Sequence, residues 1–369
     1  MNTPSSLPSV VVAGHICLDI IPQIRPFDGG LDALLVPGKL IDVGAATIST
    51  GGAVSNTGIA LHKLGIPVKL MSKLGDDPFG RMILDLMRGI HSSLADSMII
   101  SQGDSSSYSV VINPPGIDRI FLHCPGANNT FRSDDVPADV LRSAALVHFG
   151  YPTLMRNMFI NDGEDLERLL RAAKQSGATT SLDMARIDPE GPAGKADWTR
   201  ILERALPFVD VFLPSIDEIL FIMDKDAFRA METGAFPSDA IIQRTAQRLI
   251  DMGVAMAVMK LGDKGLVLKT SKESARWERA GSRLGDWSQW RGVDLRRPCF
   301  KVNVSGTTGA GDTTIAGFIA GLVRGLPPEK VMESAVAAGA FCVEKPDAVS
   351  GIPDWDTLTA RIRNGWETR

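Results

Sequence analysis

Short apolar runs alternate with helix-length stretches along almost the whole chain, and this alternation limits its fold more than any other feature. Residues 10–13, 68–72, 146–149, 179–183, 209–213 and 255–260 are brief and strand-like, most of them apolar, with 179–183 (Thr-Thr-Ser-Leu-Asp) the polar exception. Such runs read as strands buried on both faces. Between them lie segments with helical spacing, such as 53–64 stopping at Gly65, 79–89, and 165–176 followed by Gly177. Glycine there relieves the left-handed turn that closes a helix. Strands separated by helices imply βαβ units, so the expected class is α/β with a mostly parallel sheet between helical layers.

Two stretches break the rhythm. Residues 20–50 carry Pro22, Pro26, Gly29, Gly30, Pro37, Gly38 and Gly44, with β-friendly pieces at 39–43 and 46–49 between them. Residues 108–113 and 119–123 read as a hairpin around Pro114-Pro115-Gly116. These look like strands projecting from the main body. Residues 271–297 hold three tryptophans among polar residues and fit no regular element, so an insertion, an extended hairpin or a partner-facing excursion all remain open.

Composition excludes several classes. Hydrophobic residues make up 44% and charged residues 22% of 369, as in a globular chain and unlike a disordered one. A formal net charge of −4 gives no basic field for nucleic acid. The longest apolar runs are too short and too glycine-broken to span a bilayer, and no basic-then-apolar leader is visible in MNTPSSLPS. Cys17, Cys124, Cys299 and Cys342 are scattered, with no CxxC pair and no histidine at metal spacing. A reduced cytoplasmic setting, with neither nucleic acid nor membrane as partner, is the expectation.

The chemistry concentrates in Val304-Ser-Gly-Thr-Thr-Gly-Ala-Gly-Asp-Thr-Thr-Ile-Ala-Gly317. Small residues let the main chain approach a ligand, and the following helix points free N–H groups and its positive dipole end at an anion. A carboxylate at that mouth, Asp312, repels phosphate unless it has work to do. The turn lacks the lysine of a GxxxxGK[ST] loop and is not a GxGxxG dinucleotide fingerprint. A helix-capping Asp is the plainer alternative.

Read with Thr50-Gly-Gly-Ala-Val-Ser-Asn56, the GTTGAGD element resembles the paired signatures of the ribokinase/PfkB carbohydrate kinase family, over roughly residues 9–357. The resemblance implies a ribokinase-like three-layer α/β/α fold with a small β-lid, here about 20–50 and 105–124, and a tail at 358–369. It implies an ATP-dependent kinase acting on a hydroxyl of a small sugar or sugar derivative. Asp312 would be the general base, and the amides of Gly309, Ala310, Gly311 and Asp312 the anion hole. Phosphoryl transfer asks mainly for positioning and charge stabilisation, which suits this division of labour.

Other residues carry across by position. Gly14-His-Ile-Cys-Leu-Asp19 is similar to the first strand whose closing Asp binds substrate hydroxyls, although an Asp before Pro22 could also form a turn. Gly51, Gly52 and Asn56 match the sugar-binding turn, with Asn56 equally able to cap a helix. Gly75-Asp-Asp-Pro-Phe-Gly80 resembles a structural turn of the family. Arg119 and Gly126-Ala-Asn128 resemble an element beside substrate or phosphate, and Asp183 ends a strand at the ligand-facing edge or caps it. Lys260-Leu-Gly262-Asp-Lys-Gly265 resembles the KxGxxG turn at the nucleotide, where the resemblance also places Thr308, Ala338, Gly339 and Cys342.

Three departures stand out. The family's NxxE magnesium motif reads Ser215-Ile-Asp-Glu218, keeping the acid for hydrated Mg²⁺ but not the Asn. Gly306 replaces the leading Asp of DTxGAGD, which leaves activation by a monovalent cation such as potassium open. Ribokinases proper carry a Glu in the segment matching His148-Phe-Gly-Tyr-Pro152, and Gly150 stands there, against ribose itself. A nucleoside kinase on the same scaffold, stacking its base on Phe27, Tyr108 or Phe121, is the nearest alternative. A non-catalytic sugar-binding regulator is another, and a dehydrogenase has no fingerprint. Lids in this family often pair between subunits, so a homodimer through the lid is expected.

Overall fold

The computed structural model describes residues 7–26, 34–114 and 119–369. Phe27, Gly29, Gly30 and the turn at Pro115-Gly116 lie outside the described residues.

An eight-stranded sheet runs through the centre in the order β14-β13-β12-β11-β10-β9-β1-β4. Its members are β1 (Val10–Gly14), β4 (Val68–Met71), β9 (Leu146–Gly150), β10 (Thr179–Leu182), β11 (Val211–Phe212), β12 (Met256–Lys260), β13 (Leu266–Thr270) and β14 (Asp294–Arg297). From β4 to β12 every pairing is parallel, and only β13 and β14 run antiparallel at the edge. Parallel strands covered on both faces must be apolar on both, and β1 shows it. Val10 and Val12 enter one core with the helices Ala53–Lys63, Ala310–Val323 and Pro328–Val343. Val11 and Ala13 enter the other, beneath Glu164–Gln175, Trp198–Ala205 and Asp239–Asp251. The three layers follow from that alternation.

A second sheet, in the order β3-β2-β7-β8, comprises β2 (Cys17–Ile21), β3 (Thr47–Gly51), β7 (Tyr108–Ile112) and β8 (Ile120–Cys124). A short pair, β5 (Lys73–Gly75) and β6 (Ile99–Ser101), completes the strands. The register aligns Ser49 with Asp19, Asp19 with Ser109, and Ser109 with His123, a polar row across four strands. Residues 39–43 do not form the strand their composition suggested: they lie outside any ladder, with Leu40 90% exposed, between Pro37-Gly38 and Gly44.

Residues 271–293 return from β13 to β14 as a short helix, Ser274–Glu278, and two single turns. Trp290 is buried with its edge to Phe318, and Trp277 and Trp287 pack beside it, donating to the carbonyls of Ser271 and Gly281. Buried Arg276 fixes the excursion to the body through the carbonyls of Gly253 (2.6 Å) and Val209 (2.7 Å) and through Asp210 Oδ1 (3.0 Å). The tryptophans therefore face inward.

The helix Trp355–Arg363 runs through the boundary drawn at 357/358, so no independent tail begins there. Beyond it Trp366 stacks on Phe300, and Thr368 bridges back to Phe300. Among the described residues no helix is long and apolar enough to cross a membrane.

Candidate active site

The helix Ala310–Val323 opens on Gly309 in the left-handed region (φ 73°). A side chain is excluded there twice, by that backbone and because a Cβ would meet the Ala348 Cβ at 2.4 Å. Among the described residues no main-chain acceptor takes the amides of Gly309, Gly311 or Asp312, whereas the Ala310 amide reaches the Thr307 carbonyl at 3.3 Å. Three of the four expected anion-hole donors are thus uncommitted to main-chain bonds.

Asp312, on the first turn, is 3% exposed. Asn56 Nδ2 donates to its Oδ2 at 2.9 Å and the Tyr151 hydroxyl to its Oδ1 at 2.7 Å. Burial pushes its carboxyl above the usual carboxylate range, while the bonds from Asn56 and Tyr151 and the Lys260 charge pull the other way. It lines neither of the two neighbouring cavities itself, and nor does Asp183, but its partner Asn56 lines one and the adjacent Gly311 the other. One, of about 680 Å³, is lined by Asp19, Asn56, Arg119, Phe121 and Thr308 among others. The other, of about 310 Å³, is lined by Lys260, Gly262, Gly265, Gly311 and Gly339 among others.

On the first side, Asp19 lies in the polar row of the second sheet and its carboxyl is raised by burial, against hydrogen bonds from Cys17 and Ser109. Gly51 makes room for it, since a Cβ there would lie 2.3 Å from Asp19 Oδ2. Gly52, with φ 90°, likewise clears the main chain of His15. These two glycines act as clearance. The row ends in His123, whose Nδ1 pairs with the Ser109 hydroxyl at 3.0 Å and whose Nε2 lies 3.4 Å from His15 Nε2. Burial lowers the pKa of the His15 imidazole, His123 adding to it, and partial desolvation lowers that of His123. Asp183 is fully buried; its Oδ1 accepts the Tyr151 amide at 3.0 Å and its Oδ2 has no partner. Asn56 Oδ1 is also unpaired. Arg119 reaches from the strand Ile120–Cys124 to the hydroxyls of Thr307 and Thr308.

On the second side, Lys260 ends β12 and is 9% exposed, its charge acting on Asp183, Glu218 and Asp312. Glycine at 265 is required, because φ is 95° and a Cβ would strike the Arg297 carbonyl at 2.0 Å. Gly339 lines this cavity as expected, but Ala338 and Cys342 line neither cavity. Ala338 is buried against Gly317 of the neighbouring helix, and the Cys342 thiol donates to the carbonyls of Thr308 and Ala348. Val336, Ala340 and Val343 supply the lining, from the adjoining face of the same helix. Thr308 belongs to the first cavity and Thr307 to both.

Glu218 receives the Ser215 amide at 2.7 Å, and burial pushes its carboxyl up to about 7. Among the described residues no group of three His, Cys, Asp or Glu could hold a metal. One half-buried carboxylate, bonded to the amide of Ser215 at the edge of the smaller cavity, still fits Mg²⁺, which keeps several waters and takes its remaining ligands from phosphate.

The residues that sequence reasoning did not single out are Tyr151, His15, His123, Ser109, Phe300, Val302 and Arg369. Only Tyr151 had a local signal, a Gly-Tyr-Pro at a strand end. Its backbone is left-handed (φ 62°, ψ 47°). Gly150 before it has no room for a side chain, because a Cβ would meet the Ala53 Cβ at 2.1 Å.

The family model described as pfkB family carbohydrate kinase matches residues 8–355. An uncharacterised sugar kinase of Archaeoglobus fulgidus is 25% identical over 299 residues, covering 80% of this chain and 98% of that protein. A probable fructokinase-4 of Arabidopsis thaliana is 25% identical over 358 residues, covering 93% of each. The Thermotoga maritima ribokinase structure superposes with a TM-score of 0.70 at 20% identity, over 97% of this chain and 100% of that one. The Arabidopsis ribokinase structure complexed with ribose and ATP gives 0.70 at 20% identity, over 96% and 98%. The ribokinase-like architecture is shared across these structures.

Proposed function

The chain belongs to the pfkB family of carbohydrate kinases, phosphotransferases with an alcohol acceptor, and we propose that it moves the γ-phosphoryl group of ATP onto a hydroxyl of a small sugar or sugar derivative. The observation that carries this reading is the place of Asp312, a buried carboxylate bonded to Asn56, which edges one cavity with Asp19, and adjacent in sequence to Gly311, which edges the other with Lys260.

In this reading the acceptor lies in the larger cavity, where its hydroxyls donate to Asp19 and are oriented by Asn56, while Asp183, which lines neither cavity, stands behind Tyr151. Asp312 takes the proton of the reacting hydroxyl as its oxygen bonds to the γ-phosphorus. The bond from that phosphorus to the bridging oxygen breaks, and ADP leaves. Charge on the moving group meets the Gly309, Gly311 and Asp312 amides, the helix dipole and Lys260. The smaller cavity accepts the nucleotide along Gly262, Gly265 and Gly339, and Arg119 with Thr307 and Thr308 closes over the phosphates. Glu218 would hold Mg²⁺ through water, and the ion supplies neutralisation of phosphate charge. Leu122, exposed on β8 at the edge of this sheet and on the face opposite Phe121, supports a second copy of the chain as its partner.

The test is ADP formation from MgATP with ribose, fructose and adenosine as acceptors. Turnover with a free sugar above the rate without acceptor is the expected result. Turnover confined to adenosine moves the assignment to nucleosides, and no acceptor-dependent ADP from a wider sugar panel overturns it.

A further inference from the structure

Asp312 is held by two donors, and only one of them belongs to the glycine-rich turns that mark the family. The other, Tyr151, comes from the end of β9, 161 residues away in sequence. It is fixed at both ends: its amide donates to Asp183 Oδ1 and its hydroxyl to Asp312 Oδ1. Its left-handed backbone directly precedes Pro152, a conformation that a bulky residue keeps only when its surroundings over-determine it. Those surroundings are visible. Ala53 fills the space at Gly150, so position 150 can carry no side chain, and the next residue turns its ring in instead, 6.0 Å from the ring of His15.

We propose that Tyr151 is a positioning residue for phosphoryl transfer, whose phenol clamps Asp312 Oδ1 so that the carboxylate presents a free lone pair to the acceptor hydroxyl. The proposal rests on the reading of Asp312 as the base. The phenol suits the task because it is neutral and donates without competing for the proton. Nearby carboxylates of Asp312, Asp183 and Glu218 disfavour phenolate, and burial acts in the same direction. With Asn56 on Oδ2 the carboxylate cannot rotate, and each oxygen keeps one lone pair. The same residue couples the base to Asp183, so this second carboxylate and the base share one rigid support.

Removal of the hydroxyl should act on the base and not on the nucleotide. The charged and titratable groups facing Asp312 and Tyr151 are Lys260 from β12, Asp183 from the end of β10, His148 from β9, Glu218 from the helix Ile216–Met223, Cys342 from the helix Pro328–Val343 and His15 after β1. All remain in Tyr151→Phe. With the fastest acceptor among ribose, fructose and adenosine, Tyr151→Phe should lower kcat about tenfold and leave KM for ATP within about twofold. The acid limb of kcat/KM should move up by about one pH unit, the worth of one charge-assisted hydrogen bond. Native kcat, or a fall in kcat with an unmoved acid limb, overturns the clamp. Asp312→Asn reports separately on the base: full turnover in that variant refutes the base itself.

A second arm needs no acceptor. The chain has two tyrosines, so protein labelled with ¹³C at tyrosine Cζ gives two resonances, and Tyr108→Phe assigns that of Tyr151. In the otherwise native protein the Tyr151 resonance should shift on Asp312→Asn while that of Tyr108 stays. A Tyr151 resonance indifferent to Asp312→Asn contradicts the proposal.

Discussion

Replacing Arg276 by alanine should destabilise the whole molecule while leaving the active site intact. The guanidinium is buried and makes three bonds within 3.0 Å, to the carbonyls of Gly253 and Val209 and to Asp210. Asp210 is itself fully buried and also engages Lys174, the Thr180 amide and the Gly281 amide. Removing one partner of a buried pair costs about 3–5 kcal/mol. Lys174 still neutralises Asp210 in the variant, which favours the lower end, while the orphaned carbonyls add about 1 kcal/mol or more. A net loss of about 4 kcal/mol follows. With an unfolding entropy of about 2.1 cal/mol/K per residue, that lowers Tm by about 5 °C. Calorimetry and urea titration of Arg276→Ala and Arg276→Lys measure it, and Lys should recover part of the loss. Phosphoryl transfer per folded molecule should be unchanged. A Tm within 1 °C of native would refute the view that 271–297 is pinned to the body through this guanidinium.

Gly51→Ala should raise KM for the acceptor at least tenfold with KM for ATP within about twofold, because the new methyl displaces the Asp19 carboxylate from 2.3 Å away. Steady-state kinetics read it, and an unchanged acceptor KM removes Asp19 from the substrate site. For Glu218 the folded pKa of about 7 lies above the unfolded value near 4.5, so the folded state binds the extra proton. Its contribution to stability is full below about pH 4.5 and is lost as pH rises to about 7. Glu218→Gln should flatten that slope in denaturation midpoints measured from pH 5 to 8. It should also weaken the Mg²⁺ dependence of turnover; an identical slope in both proteins rejects the assignment.

The sheet was legible because strands buried on both faces are mostly apolar, and β1, β9 and β12 advertise themselves by composition. By contrast β10 is polar and buried, its Thr180 and Ser181 hydroxyls paired with the Phe208 carbonyl and His148. The turn that carries Asp312 was legible as a tight strand-to-helix start because its neighbours are so small, and Gly309 indeed has no room for a side chain. Asp19, Gly51 and Asn56 were found as a group, but the reason for Gly51 needed the register that sets Asp19 beside it. Tyr151 was hidden, since its direction depends on a left-handed backbone and on Ala53 filling the space at Gly150. The row from Asp19 through Ser109 to His123 exists only once β2, β7 and β8 are paired. Ala338 and Cys342 lie on the helix Pro328–Val343 that lines the smaller cavity, but on its packed side, a difference of one residue in rotation. The tryptophans of 271–297 looked like a surface excursion because their polar neighbours conceal the burial of Trp290 and Arg276.

Whether a single carboxylate at residue 312 deprotonates the acceptor is tested most directly by Asp312→Asn, with turnover and ATP affinity measured on the same preparation. The variant keeps the side-chain shape and loses the proton acceptor. The account predicts a fall in kcat of about 10²–10⁴, the range for a positioned general base, with Kd for ATP within about threefold of native. Turnover within a factor of ten of native, or a parallel collapse of ATP binding, would contradict it.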